Sequence, residues 1–142
     1  MTMKEKEEGL QKFYMEFQVL SQQIKQLENQ NTALENQLME LMVTNQSLED
    51  MNKTEQGTEI MVPLSNGIYA KAEIKDSKNF IVNVGSNVAL KKDLSSTKKL
   101  IETQIDEIQN LQKNLINELQ HNTIKATALE QEINKIASEV QK

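Results

Sequence analysis

The sequence predicts a mainly α fold with a small β part: an antiparallel two-helix coiled coil whose helices are joined by two β-hairpins. Three observations predict it. Apolar residues step by three and four from Leu10 to Leu48, and again, less evenly, from Leu94 to Val140. Between the two arrays, Gly57–Lys92 alternates apolar and polar residues with a period of two. Ser65-Asn66-Gly67, Asp76-Ser77-Lys78-Asn79 and Gly85-Ser86-Asn87 interrupt that stretch with turn chemistry. A mean step of three and a half marks a coiled coil, and a period of two marks strands. The expected segments are therefore 1–56, a first coiled-coil helix; 57–92, two hairpins acting as an assembly element; and 93–142, a second coiled-coil helix.

The first helix begins after Met3 and runs to about Asn52. Its seam reads Leu10, Phe13, Phe17, Leu20, Ile24, Leu27, Asn31, Leu34, Leu38, Leu41, Asn45 and Leu48, with no break in register. Neither Gly nor Pro interrupts Leu10–Asn52, so this stretch forms a rod of roughly 60–65 Å at 1.5 Å per residue. Asn31 and Asn45 at a positions weaken the seam while restricting its register. Some apolar residues lie off the seam. Met39, Met42 and Val43 are expected to pack where the helix meets the strands. Tyr14 and Met15 stand near the free end, beside Phe13 and Phe17, and three of the chain's five aromatics fall in this one heptad.

Lys53-Thr54-Glu55-Gln56-Gly57 is a polar exit whose glycine suits a helix C-cap. The strands follow. Their alternating apolar sets are Ile60, Val62 and Leu64; Ile68, Ala70, Ala72 and Ile74; Phe80, Val82 and Val84; then Val88 and Leu90. Pro63, the only proline, cannot donate a ladder hydrogen bond and belongs on an edge or at a bulge. Four short strands are too few to stand alone, and their open edges invite other chains. Ile60, Val62, Leu64, Ile68, Ala70, Phe80, Val82, Val84, Val88 and Leu90 are therefore the candidate subunit-assembly residues.

Asp93 is a plausible N-cap for the second helix. Its expected seam runs Leu94, Thr97, Ile101, Gln104, Ile108, Leu111, Leu115 and Leu119, where two successive steps of four make a stutter at Leu111–Leu115–Leu119. It then continues through Asn122, Ala126, Leu129, Ile133, Ile136 and Val140. Folding back on the first helix would bring the region of Met1 to that of Lys142.

Composition narrows the function. The net charge is −5 and all sixteen basic residues are lysine, so neither general attraction to nucleic acid nor bidentate arginine contacts are expected. Without cysteine there are no disulfides or thiolate metal sites. No apolar run is long enough to cross a membrane and no leader pattern opens the chain, which gives an expectation of a cytoplasmic protein. His121, the only histidine, lies among polar helical residues and reads as a solvated side chain. Gly85-Ser86-Asn87 lacks the spacing of a phosphate loop and opens into a strand. Catalytic, cofactor and metal sites are all expected to be absent.

Ile60-Met61-Val62-Pro63-Leu64, Tyr69-Ala70-Lys71-Ala72 and Val82-Asn83-Val84-Gly85-Ser86-Asn87-Val88-Ala89-Leu90-Lys91-Lys92 resemble the alpha-type subunits of the prefoldin family. Two hairpins, where beta-type subunits have one, agree with the alpha type, and Asn87 stands where those chains often carry a second glycine. The resemblance implies a subunit of a chaperone hetero-hexamer, two alpha and four beta, whose hairpins close into β-barrels. It implies ATP-independent holding of unfolded polypeptides by the coiled-coil ends and delivery to a group II chaperonin. On that reading the client-binding candidates are Leu10, Phe13, Tyr14, Met15, Phe17, Ile133, Ile136 and Val140. The alternative is a structural coiled-coil oligomerisation or tethering protein without clients, which needs no aromatic off the seam.

Overall fold

The computed structural model describes residues 2–140. The order is α1 (Met3–Lys53), β1 (Glu59–Ser65), β2 (Ile68–Glu73), β3 (Asn79–Asn83), β4 (Ala89–Asp93) and α2 (Leu94–Val140). The expected meeting of Met1 with Lys142 falls outside the described residues. The chain forms two compact units: a chain-end unit of residues 2–36 with 109–140, and a central unit, Gln37–Ile108.

In the chain-end unit two helical segments run antiparallel. The Lys6 ammonium lies 3.5 Å from the Glu139 carboxylate, while Asn31 meets Gln112, so early residues of one segment face late residues of the other. The start of α1 is a capping box that the sequence carries in Thr2 and Glu5. The Thr2 hydroxyl accepts from the Glu5 N–H, and the Glu5 carboxylate accepts from the Thr2 N–H, each at 3.2 Å. Two donors that no helical carbonyl can reach are thereby satisfied. The expected α1 seam is the half-buried stripe of the helix, and none of its residues is fully buried. Two helices can cover only one stripe of each other, so burial is deepest at Leu115, Ala126 and Ile133 of the α2 segment.

The central unit holds the rest of both helices and the hairpins. Here Lys98 donates to the Glu49 carboxylate, and the α2 seam departs from expectation. Ile105 is half-buried and Gln104 exposed; in the chain-end unit Gln112 is likewise half-buried and Leu111 exposed. The successive steps of four therefore fall at Thr97–Ile101–Ile105, not at Leu111–Leu115–Leu119. The unbroken pattern of α1 sets the phase, and α2 adjusts near its start. Thr97 can be buried there because its hydroxyl donates to the Asp93 carbonyl at 2.7 Å. Asp93 caps α2 as expected, accepting from the Ser96 N–H at 2.8 Å.

β1 pairs with β2 and β3 with β4, both antiparallel, as two separate two-stranded sheets. Val62 faces Ala70 and Val82 faces Leu90. Pro63 lies opposite Tyr69, next to a register shift before Ser65, so it meets both expectations, an edge strand and a bulge. In the second hairpin the Val84 N–H donates to the Val88 carbonyl and the Val88 N–H to the Gly85 carbonyl, both at 2.9 Å. The central residues of that turn, Ser86 and Asn87, have φ of 51° and 61°, the sign demanded by a turn that matches strand twist. Asn87, standing where alpha-type chains often carry glycine, adopts the left-handed conformation that asparagine tolerates. Ser86 does so without the usual sequence signature.

The two seam asparagines differ. Asn31 Oδ1 accepts from Gln112 Nε2 at 3.5 Å and its Nδ2 donates to Glu35 at 3.3 Å, whereas Asn45 Oδ1 is buried without a partner. An unpartnered buried acceptor costs about 1–3 kcal/mol. Asn45→Leu is therefore expected to raise the melting temperature by several degrees. Asn31→Leu gains little, because it leaves Gln112 in the seam alone. Circular-dichroism melts of the two single variants check this, and a fall for Asn45→Leu would contradict it.

Candidate functional site: apolar surfaces on the coil and the hairpins

In the chain-end unit the structure divides the eight candidate client residues. Tyr14 and Met15 are exposed; Leu10, Phe13, Phe17, Ile136 and Val140 are half-buried in the seam; Ile133 is 5% exposed. Tyr14 and Met15 are neighbours on a helix, about 100° apart, and face different flanks. Met15 lines an open groove of about 600 Å³ with Glu16, Val19 and Leu20 of α1 and Lys125, Ala128 and Leu129 of α2. Val19, Lys125 and Ala128 are absent from the sequence-based candidates. Val19 carried a signal, since it is a β-branched residue just off the seam. Ala128 became meaningful only once the antiparallel pairing set it across from Val19.

The central unit carries the second surface. None of the ten candidate assembly residues is buried: Val62, Leu64, Ile68, Val84, Val88 and Leu90 are exposed, and Ile60, Ala70, Phe80 and Val82 half-buried. The opposite strand faces are also apolar in places, with Met61, Tyr69 and Ile81 exposed. Single exposed apolar residues are ordinary, whereas several together on two hairpins make a candidate interaction surface. One expectation fails in this unit. Met39, Met42 and Val43 do not pack on the strands and remain 62%, 58% and 64% exposed. They lie off the seam, where the antiparallel partner helix does not reach.

The hairpins are held to the helix exit by polar links. The Gly57 N–H donates to the Ile74 carbonyl at 2.7 Å, the Ile74 N–H returns a bond to the Thr58 carbonyl at 3.0 Å, and Ile74 is buried. Lys78 Nζ donates to the Asn52 carbonyl at 2.8 Å, placing a cation on the C-terminal end of α1. Asp76 organises the joint between hairpins. One of its oxygens accepts from the Lys78 and Asn79 N–H groups at 2.9 and 3.1 Å; the other accepts from the Asn79 amide at 3.1 Å and lies 3.7 Å from the Lys91 ammonium. The Lys78 N–H foremost, then the Asn79 amide, hold the Asp76 carboxyl below its ordinary 3.8. The Ser96 N–H and the Lys98 ammonium lower Asp93 and Glu49 in the same way.

Among the described residues no three His, Cys, Asp or Glu side chains gather as a metal-ligand set, and no helix is long and apolar enough to cross a membrane. Residues 20–139 match the family of Prefoldin subunits. The chain belongs to the prefoldin family. A protein named prefoldin subunit alpha from Methanococcus vannielii is 27% identical, over 95% of this chain and 90% of its own. One of the same name from Methanococcus maripaludis is 32% identical over 69% of this chain and 76% of its own. Filamentous PFD from Methanocaldococcus jannaschii, seen by cryo-EM, shares the fold at a TM-score of 0.73 and 18% identity, covering 82% of this chain and 96% of that one.

In this prefoldin subunit the Asp76 joint sets where the second hairpin leaves the first. The joint gives a pH test whose sign follows from the lowered carboxyl. Stability from the Asp76 carboxylate is present above pH 3.8 and is lost as pH falls through the lower folded value. Asp76→Ala is expected to melt a few degrees below the parent at neutral pH, with the gap narrowing as the solution is acidified past that value. Thermal melts across acid pH check it, and a gap independent of pH would contradict the electrostatic assignment.

Proposed function

We propose that the chain acts as an alpha-type prefoldin subunit, an ATP-independent chaperone component that holds unfolded polypeptides. The observation that carries this reading is apolar surface facing solvent on the chain-end coil: Tyr14, Met15 and the groove beside Met15. A tether without clients has no use for such side chains off the seam, so the chaperone reading is favoured over it. On this reading residues 1–56 and 93–142 serve as the coil and residues 57–92 as the assembly element. The ten candidate strand residues from Ile60 to Leu90 join hairpins of beta-type subunits in a hetero-hexamer of two alpha and four beta chains, closing open strand edges into barrels. The assembled chaperone works in the cytoplasm, without cofactor or catalysis, and passes clients to a group II chaperonin. The relatives' shared name, prefoldin subunit alpha, supports the alpha assignment.

Each apolar contact with a client is weak. Burying one large side chain contributes roughly 1.5–3 kcal/mol before ordering costs. Several coils on one complex raise the effective concentration of the next contact, so avidity holds the client. Tyr14 and Met15 offer standing contacts; Leu10, Phe13, Phe17, Ile133, Ile136 and Val140 contribute when the helix ends fray.

Two outcomes follow. Purified alone, the chain is expected to self-associate or melt at low temperature, and with a beta-type partner to form a discrete hetero-oligomer by native mass measurement. A stable monomer that unfolds cooperatively would contradict the assembly reading. Deleting residues 1–17 and 133–142 is expected to leave the hetero-oligomer intact and to abolish aggregation suppression of a chemically unfolded protein. Suppression at full strength after that truncation would move the client site elsewhere.

A further inference from the structure

We infer that the groove on the chain-end coil takes a client segment as an amphipathic helix, laid along it as a third helix and oriented by the Glu16–Lys125 charge difference. The inference rests on the chaperone reading and names the site and the client conformation.

The floor of the groove is Leu20 and Leu129, and its walls carry Val19 and Ala128. Both walls are helices whose backbone groups are already bonded internally, so no strand edge is on offer. An extended segment lying here would bury N–H and C=O groups without partners. A helix satisfies its own backbone and presents an apolar stripe, which is the helix-in-groove mode of recognition. The walls also match each other. Glu16, Val19 and Leu20 on α1 repeat the spacing of Lys125, Ala128 and Leu129 on α2, and the segments are antiparallel, so an approximate two-fold relates them. Charge breaks that symmetry. Glu16 and Lys125 line opposite walls, and among the described residues neither is in an ion pair. A helix with a cation on one edge of its stripe and an anion on the other pairs with both in one direction only.

The test uses the full chain in its assembled state and fluorescent peptides of about four helical turns. One carries a leucine stripe with Lys on one edge and Glu on the other. Others carry Lys on both edges, Glu on both edges, or a central proline that breaks the helix. Anisotropy titrations are expected to rank the Lys/Glu peptide first, roughly two- to fivefold over either like-charged peptide, with the proline peptide weakest. Val19→Glu and Ala128→Glu, both exposed positions, are expected to weaken binding by about tenfold or more; Met42→Ala, an exposed position outside the groove lining, leaves it unchanged. Lys125→Glu makes both walls acidic and shifts the preference to the Lys/Lys peptide. Equal binding of the proline peptide would overturn the helical conformation. Indifference to Val19→Glu and Ala128→Glu would overturn the site, and an unaltered peptide ranking in Lys125→Glu the role of charge. Aggregation suppression by the parent complex is measured alongside. Its absence defeats the chaperone reading, whereas its presence with any of these contrary results defeats this inference alone.

Discussion

The seam between two antiparallel helices is the constraint on which the rest of this chain depends. Two helices bury one stripe of each other and nothing more, so Leu10, Phe13, Phe17 and their successors are only half covered. Their burial contributes a fraction of the full side-chain value of about 1.5–3 kcal/mol each, repeated over many turns. The same limit leaves most off-seam residues in water. Tyr14, Met15, Val19, Met39 and Met42 are exposed for this single geometric reason. A protein with a closed core would have absorbed such residues, whereas a two-helix coil leaves them on its flanks.

The hairpins meet a related limit. Two strands provide a ladder but no second layer, so their apolar faces find no cover within the sheet they form. Within the central unit, Ile74 and Ile101 are the buried apolar residues. Polar chemistry supplies the local order: Asp76 holds the joint, Lys78 ties it to the end of α1, and Asp93 opens α2. The chain thus shapes its strands with hydrogen bonds and leaves their apolar faces exposed.

Much of this was legible in the sequence, and the exceptions share a cause. The α1 seam, the Pro63 bulge, the Asn87 turn and the Asp93 cap follow from local rules of period, ring geometry and capping. The α2 seam was misread at Gln104 and Leu111, because a heptad phase is relative to its partner and Leu111 is as apolar as the residues that do face inward. Met39, Met42 and Val43 were expected to pack, yet periodicity says which face a residue occupies and not whether anything covers it. Ser86 at positive φ was hidden behind a residue type that rarely shows it. The groove needed pairing information, since Val19 and Ala128 are more than a hundred residues apart.

The central claim is that clients are held on the chain-end coil and not on whichever apolar side chains happen to be exposed. Met15 and Met42 allow a fair comparison, being 64% and 58% exposed on the same helix. Replacing each in turn with a photocrosslinking amino acid, in the assembled complex loaded with an unfolded client, would report directly where the client lies. The account predicts strong client crosslinks from position 15 and weak ones from position 42. Equal yields, or a preference for position 42, would contradict it.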